Sequence, residues 1–265
     1  MRITVCLKYV PDPATIEVDP LTGAIDSARM LHMLNPADGA ALEMALRLKE
    51  KGASVQALTV GPPKVEAVLR EALAVGADDV LRLWDDHYEY TKPHITSLLL
   101  ATAMRLSDLP DLVLFGSRSA DRASGKVPAL VAEHIDYPVA TDITHFEVHQ
   151  GNVLAQRRLP KGARAEVELI LPAVLGLEAS IAQLRYASLT GLMAAEQKTI
   201  PVYDLAGLGL SPNDLNFPAV TLREVLPPRP RARVLFMPDC TLSPEERVAQ
   251  IMSAGVASKS GQILE

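Results

Sequence analysis

The stretch Asp111-Leu112-Val113-Leu114-Phe115-Gly116-Ser117-Arg118-Ser119-Ala120-Asp121-Arg122-Ala123-Ser124-Gly125-Lys126-Val127 decides the architecture. Residues 112–115 form a short, wholly apolar run, as in a strand buried on both faces of a parallel sheet. From Gly116 the chain opens into small and charged residues. It then enters a helix expected over residues 123–135, with Leu130, Val131 and Ile135 on the inner face. In a doubly wound α/β sheet, ligands bind beyond the carboxyl ends of the strands, where a helix N-terminus offers free N–H groups and a positive dipole to an anion. Ser124 and Lys126 add donors. An ordinary solvated loop capping a helix has the same local sequence, so these residues by themselves leave both readings open.

The same unit repeats toward the N-terminus. Residues 3–7, 55–60 and 80–83 are brief apolar runs, and residues 40–51, 65–75 and 96–106 between them carry helical spacing, as crossover helices between parallel strands do. After Pro138 the pattern changes to antiparallel. Residues 144–149, 153–158 and 165–171 read as strands joined by Gly151-Asn152 and Lys161-Gly162, a β-meander expected to finish the sheet.

From Leu205 the chain is rich in Gly and Pro, including Pro212, Pro218, Pro227, Pro228 and Pro230. One last helix is expected at 243–252, opened by Ser243-Pro244-Glu245-Glu246: a hydroxyl cap, a proline at the first position and acids in the first turn. The expected organisation is an α/β domain over residues 1–204 and an extended C-terminal arm over 205–265. Such an arm seldom offsets its ordering entropy without a surface to lie on, which points to a partner subunit.

The whole chain of 265 residues, 48% hydrophobic, can bury a sizeable core. A net charge of -6 argues against a nucleic-acid-binding protein, which needs clustered Lys and Arg, and the one basic run, Arg229, Arg231 and Arg233, reads as a solvated arm touching another protein. Cys6 and Cys240 make neither a disulfide framework nor a CxxC motif. No apolar run reaches the ~18 residues that span a bilayer, so no membrane insertion is expected. The N-terminus runs straight into strand-like sequence without a leader, and a cytoplasmic location is the expectation.

Catalytic patterns are missing. There is no GxSxG, no HExxH and no spaced acid pair, and the six histidines (His32, His87, His94, His134, His145, His149) are scattered, so neither side-chain catalysis nor a metal is expected. Gly207-Leu208-Gly209 follows a strand-like segment but runs into Leu210-Ser211-Pro212, so it is a turn and not a dinucleotide fingerprint. Gly125-Lys126 is not a Walker motif either, because Ala120 stands where its first Gly belongs and Val127 where Ser or Thr belongs. A second candidate loop is Asn35-Pro36-Ala37-Asp38, ahead of the first helix, where Asn35 and Asp38 are expected to cap the helix or hydrogen-bond a ribose.

Several segments together resemble the electron-transfer flavoprotein beta family. They are Cys6-Leu7-Lys8-Tyr9-Val10-Pro11-Asp12, Asp19-Pro20-Leu21-Thr22-Gly23, Asn35-Pro36-Ala37-Asp38 with Ala41-Leu42-Glu43, and Ala72-Leu73-Ala74-Val75-Gly76-Ala77-Asp78. The likeness continues through residues 111–115 and 121–133, Leu171-Pro172-Ala173-Val174, and Arg185-Tyr186-Ala187-Ser188-Leu189 to Met193, and so covers about the first 200 residues in order.

The resemblance implies an adenine-nucleotide-binding α/β fold with an extended arm. It implies a heterodimer with an alpha subunit that carries the redox-active FAD, in a complex that passes electrons from a flavin-dependent dehydrogenase to an acceptor and is a carrier, not an enzyme. The beta chain itself would hold AMP, or a second FAD in an electron-bifurcating complex. By resemblance the nucleotide contacts fall on Cys6, Asn35, Pro36, Ala37, Asp38, Val60 and the loop from Gly116 to Val127. Leu189 would be the apolar anchor for the dehydrogenase, with Tyr186 and Met193 beside it, and plain core packing is the other reading of those three.

Departures are local. The family usually carries Gln where Lys126 stands, often Asp at Ala123, and Gly at Pro128, which leaves the identity of the nucleotide open. The docking segment ends Ala194-Ala195-Glu196-Gln197-Lys198 in place of a Lys-rich run, so the dehydrogenase is expected to differ, and the opening Val10-Pro11-Asp12-Pro13 resembles the nitrogen-fixation and bifurcating branch. A stand-alone nucleotide sensor of the stress-protein type shares the layout, but it has no use for the arm. A hydrolase or ligase acting on a nucleotide would need the missing motifs.

Overall fold

The computed structural model describes residues 1–19, 25, 29–86, 92–215 and 241–257. The basic run at 229–233, Pro218, Pro227, Pro228, Pro230, residues 20–23, His87 and Cys240 lie outside them. The chain divides into two units, Met1–Val220 and Thr221–Glu265.

The strands of the first unit are β1 (Arg2–Cys6), β2 (Tyr9–Pro11), β3 (His32–Leu34), β4 (Ser54–Val60), β5 (Asp79–Leu83), β6 (Leu112–Gly116), β7 (Val139–His149), β8 (Asn152–Arg158), β9 (Arg164–Ile170), β10 (Ala173–Leu177) and β11 (Val202–Tyr203). Its helices are α1 (Pro36–Lys49), α2 (Glu66–Val75), α3 (Pro93–Leu106), α4 (Val127–Ile135) and α5 (Leu189–Gln197). Nine strands form one sheet in the order β11-β5-β4-β1-β6-β10-β7-β8-β9, and β2 with β3 makes a small antiparallel pair. Every neighbour pair from β11 to β7 is parallel, and β7-β8-β9 is antiparallel.

The period of two along each strand builds two cores. Ile3, Val5, Leu112, Leu114, Leu175 and Leu177 face α1 and α2, meeting Leu42, Leu46, Leu69 and Ala72, while Phe146, Val153 and Leu169 extend that core under the meander. Leu58, Val113, Phe115 and Val174 face the other way, against Leu99, Met104, Val131 and Ile135 of α3 and α4. With helices on both faces, the fold is α/β with a mostly parallel, doubly wound sheet. Leu205, Leu208 and Leu215 also enter this second core.

Three details differ from the sequence expectations. The meander does not finish the sheet: the chain returns as β10, fully buried between β6 and β7. Its five residues lie between Pro172 and Glu178, too short a run to stand out. Helix α4 begins at Val127 and not at residue 123, because Ala123 (φ 51°) and Gly125 (φ 60°) take left-handed backbone that a helix cannot include. Helix α1 begins at Pro36, earlier than expected, with proline at its opening.

In the second unit the described residues form α6 (Pro244–Ala257). The Ser243 hydroxyl accepts from the Glu246 N–H at 3.2 Å, and the Glu246 carboxylate accepts from the Ser243 N–H at 2.8 Å, a reciprocal capping box. Among the described residues no helix is long and apolar enough to cross a membrane.

Leu175 is 0% exposed in the middle of β10. Truncation to alanine should cost about 2–5 kcal/mol. The urea midpoint should fall accordingly, with the slope of the transition unchanged.

Candidate functional site

The sheet changes direction at β1. The chain winds from β1 to β4 and β5 on one side, then returns through α3 to β6 on the other, so the carboxyl ends of β1 and β6 part at a topological switch point. A crevice of about 280 Å³ opens there, floored by Cys6, Val60, Phe115 and Gly116 at the strand ends.

One carboxylate holds the crevice together. Asp38, in the first turn of α1, accepts from the Lys8 N–H at 2.8 Å and from the Gly116 N–H at 2.9 Å, tying the ends of β1 and β6 to one helix. Asn35 adds the next ties: its amide donates to the Arg118 carbonyl at 3.1 Å and accepts from the Ala120 N–H at 3.0 Å, while its own N–H bonds the Lys8 carbonyl at 2.9 Å. Beyond the roles expected from the sequence, both side chains thus tie the loops together. Asn35 makes no side-chain helix cap, and both oxygens of Asp38 are taken by backbone donors. A loop of mostly irregular backbone needs its polar groups satisfied, and these two side chains satisfy them. Gly116 is required by the same approach, since a Cβ there would lie 2.4 Å from Asp38 Oδ1 and 2.7 Å from Ala37 Cβ.

Burial pushes the Asp38 carboxyl up to about 7, against the downward pull of its hydrogen bonds with Asn35, Gly116 and Lys8 and of the Lys8 charge. Burial, and secondarily Asp38, also raise the Cys6 thiol well above its ordinary value.

Cations ring the opening. Lys8, Lys64, Arg118, Arg122 and Lys126 line the crevice with Ser117, Ser119, Ser124, Gly125 and Val127, against two carboxylates, Asp38 and Asp121. Lys8 Nζ contacts both Asp121 oxygens, at 2.7 and 2.6 Å, and Arg118 approaches Asp142 at 3.5 Å. Burial works to raise the Asp121 carboxyl, but hydrogen bonds from Lys8 and Ser119 prevail and hold it below its usual range. At the mouth the rings of Tyr9 and His32 stack with centroids 5.1 Å apart.

Most of the expected contact residues therefore line one space. Pro36, Ala37, Ala120 and Ala123 do not: Pro36 lines a separate shallow hollow, Ala37 packs under Gly116, and Ala120 serves as the Asn35 donor. The sequence reading missed Lys8, Tyr9, His32, Lys64, Pro93 and Thr96. Position alone could have found Lys8, two residues past the end of a parallel strand.

A second expected site lies elsewhere in the unit. Tyr186 is 90%, Leu189 74% and Met193 59% exposed, so the core-packing reading of these residues fails. Leu192, 49% exposed, joins them.

Comparison with known proteins adds the following. The model of the electron transfer flavoprotein domain matches residues 22–208. The chain is 32% identical over 233 residues to the caffeyl-CoA reductase-Etf complex subunit CarD of Acetobacterium woodii, covering 86% of this chain and 88% of that one. Identity is 30% over 243 residues to the protein FixA of Azotobacter vinelandii, covering 88% and 86%. It is 34% over 196 residues to the electron transfer flavoprotein subunit beta of Methylophilus methylotrophus, covering 72% and 74%.

Replacing Asp38 tests the tie. The native state holds the Asp38 proton more tightly than the unfolded chain does, so its contribution is full below pH ~4 and is lost as pH rises through about 7. A rise of that size is worth about 4 kcal/mol. Asp38→Asn should lose a pH-independent ~1–3 kcal/mol, because one N–H is left unpaired. It should also remove this slope, so that wild type minus variant stability declines between pH 4 and 7 and is flat above; a pH-independent difference in denaturant unfolding would contradict it.

Proposed function

The chain belongs to the electron transfer flavoprotein family as a beta-type subunit, and on that ground we propose that it works as the smaller half of a one-to-one heterodimer. Its partner is an alpha subunit bearing the redox-active FAD, and the pair carries electrons from a flavin-dependent dehydrogenase to an acceptor. No side-chain chemistry is called on. Of the C-terminal arm, residues 205–265 in the sequence reading, the part beyond Leu215 wraps the alpha subunit in this proposal, since Leu205, Leu208 and Leu215 pack into the chain's own core.

The observation that carries the reading is the cationic crevice at the β1/β6 switch point. Lys8, Lys64, Arg118, Arg122 and Lys126 outnumber Asp38 and Asp121 there in a chain whose net charge is -6, so the positive potential is local and suits an anionic ligand. We place an adenine nucleotide in it, its phosphate against Ser124, Gly125, Lys126 and Val127 at the start of α4. Lys126, where the family usually has Gln, would act as a point charge on that phosphate.

With AMP the nucleotide is a structural element of the carrier. The second reading is FAD, in a complex that splits electrons between two acceptors. It is favoured by the surplus of cations, which suits a diphosphate, and by similarity to a subunit of a reductase-Etf complex and to FixA.

Acid extraction of the purified heterodimer followed by chromatography separates these cases. One FAD with one AMP supports the carrier, two FAD the splitting complex, and a single FAD without further adenine nucleotide refutes the site. Lys126→Glu should weaken nucleotide binding by roughly tenfold or more, on the scale of about 1.5–3 kcal/mol for a charged hydrogen bond, and leave the alpha-subunit flavin in place.

For the docking surface, Leu189→Glu should leave flavin, nucleotide and heterodimer intact. Reduction by the donor dehydrogenase should slow by roughly tenfold or more, the scale of an interface hot spot of about 2 kcal/mol. Unchanged transfer kinetics would remove Leu189 from the interface.

A further inference from the structure

The exposed apolar residues Tyr186, Leu189, Leu192 and Met193 sit on a segment that cannot hold its own shape. Helix α5 has nine residues and buries one of them, Ala195, while helices shorter than ~12 residues are marginal in water without packing. The stretch before it, from Ala182 to Ser188, has no regular structure, although Leu184 and Ala187 lie half-buried against the core. Close packing on α2 and a set of polar ties hold α5. Ser188 caps α5 by accepting from the Gly191 N–H at 3.0 Å, the Arg70 guanidinium donates to the carbonyls of Ala195 and Lys198, and Lys198 pairs with Asp79 at 3.1 Å. Gly191 lets the helix close on α2, since a Cβ there would lie 2.3 Å from the Ala74 carbonyl oxygen.

The irregular stretch has one strong anchor of its own. The Arg185 guanidinium grips Glu43 with two donors, Nε at 2.9 Å and Nη2 at 3.0 Å, and reaches Glu50 with Nη1 at 2.7 Å. Its backbone N–H also donates to Glu43, at 3.2 Å. Glu43 is 5% exposed and is held from its other side by Arg47 at 3.0 Å. Burial opposes ionisation of Glu43, yet its hydrogen bonds with Arg185 and Arg47 hold it below its ordinary range. A planar fork on a buried carboxylate fixes direction as well as distance, and only arginine supplies one. Tyr186, the most exposed of the apolar residues, is the next residue in the chain.

We infer that Arg185 is a positioning residue, which sets the shape of the Tyr186–Met193 surface for a protein partner before that partner arrives. The inference rests on the docking role proposed above for Leu189. Its basis is entropic: a surface ordered in advance does not have to be ordered on binding, at a cost that each mobile side chain otherwise adds. Arg185 itself need not touch the partner.

The test uses the heterodimer and two variants, Arg185→Gln and Arg185→Lys. The lysine keeps a cation for Glu43 and so protects folding, but it cannot fork across Glu43 and Glu50. Hydrogen exchange at amides 186–193 should accelerate about tenfold in both, with amides 117–126 and bound nucleotide unchanged. With a purified, substrate-reduced flavin dehydrogenase as donor, one whose transfer Leu189→Glu slows, KM should rise about two- to tenfold with kcat unchanged.

In the Leu189→Glu background Arg185→Lys should add nothing further. Exchange at 186–193 equal to wild type, a fall in kcat at constant KM, or full additivity with Leu189→Glu would each overturn the inference. If Leu189→Glu slows no donor, the docking role fails by itself, and the exchange result still decides whether Arg185 fixes the segment.

Discussion

The carboxylate of Asp38 is the constraint on which the candidate site depends. Two parallel strands that part at a switch point leave unpaired backbone N–H groups at their ends, and here Lys8 and Gly116 both donate to one side chain from the first turn of α1. Charged hydrogen bonds of this kind contribute about 1.5–3 kcal/mol each. Burial nonetheless outweighs them, since it lifts the carboxyl to about 7. The tie is therefore strong in geometry and costly in charge, a combination that suits a fixed floor for a ligand better than a device for raw stability.

From that tie the neighbouring choices follow. Gly116 must lack a side chain, because Ala37 and Asp38 occupy the space. Asn35 must spend its amide on residues 118 and 120, which carries the small-residue loop over the crevice and brings Arg118, Arg122 and Lys126 to its rim. The Lys8 side chain, whose backbone is already fixed by Asp38, reaches Asp121 on the far side of the same loop. A cluster of like charges is tolerable here because the loop is stapled at several points and the opening faces solvent.

Helix α1 serves both sites. Asn35 just before it and Asp38 in its first turn hold the crevice, while Glu43 on the helix and Glu50 just past its end take the Arg185 fork that anchors the exposed apolar segment. The helix is rigidly packed, with Ala41, Leu42, Ala45 and Leu46 buried in the larger core. The crevice and the exposed apolar segment are thus both tied to one element, at different points along it.

The sequence by itself determined the class of fold and the location of the crevice loops. Short apolar runs such as residues 112–115 are readable because a strand buried on both faces needs no polar residue, and parallel strands joined by helices leave one place for a ligand. Tertiary structure alone decided the rest. The return of β10 between β6 and β7 depends on which edge is free when the meander closes, and nothing within its five residues encodes that. Nothing local to Asn35 and Asp38 announced that their side chains would also accept from the N–H groups of Lys8, Gly116 and Ala120, far away in sequence. Arg185 meets Glu43 across a separation of 142 residues. Local pattern reports which groups seek burial or a partner. Which partner they find is fixed only when the sheet brings distant strand ends to the same edge.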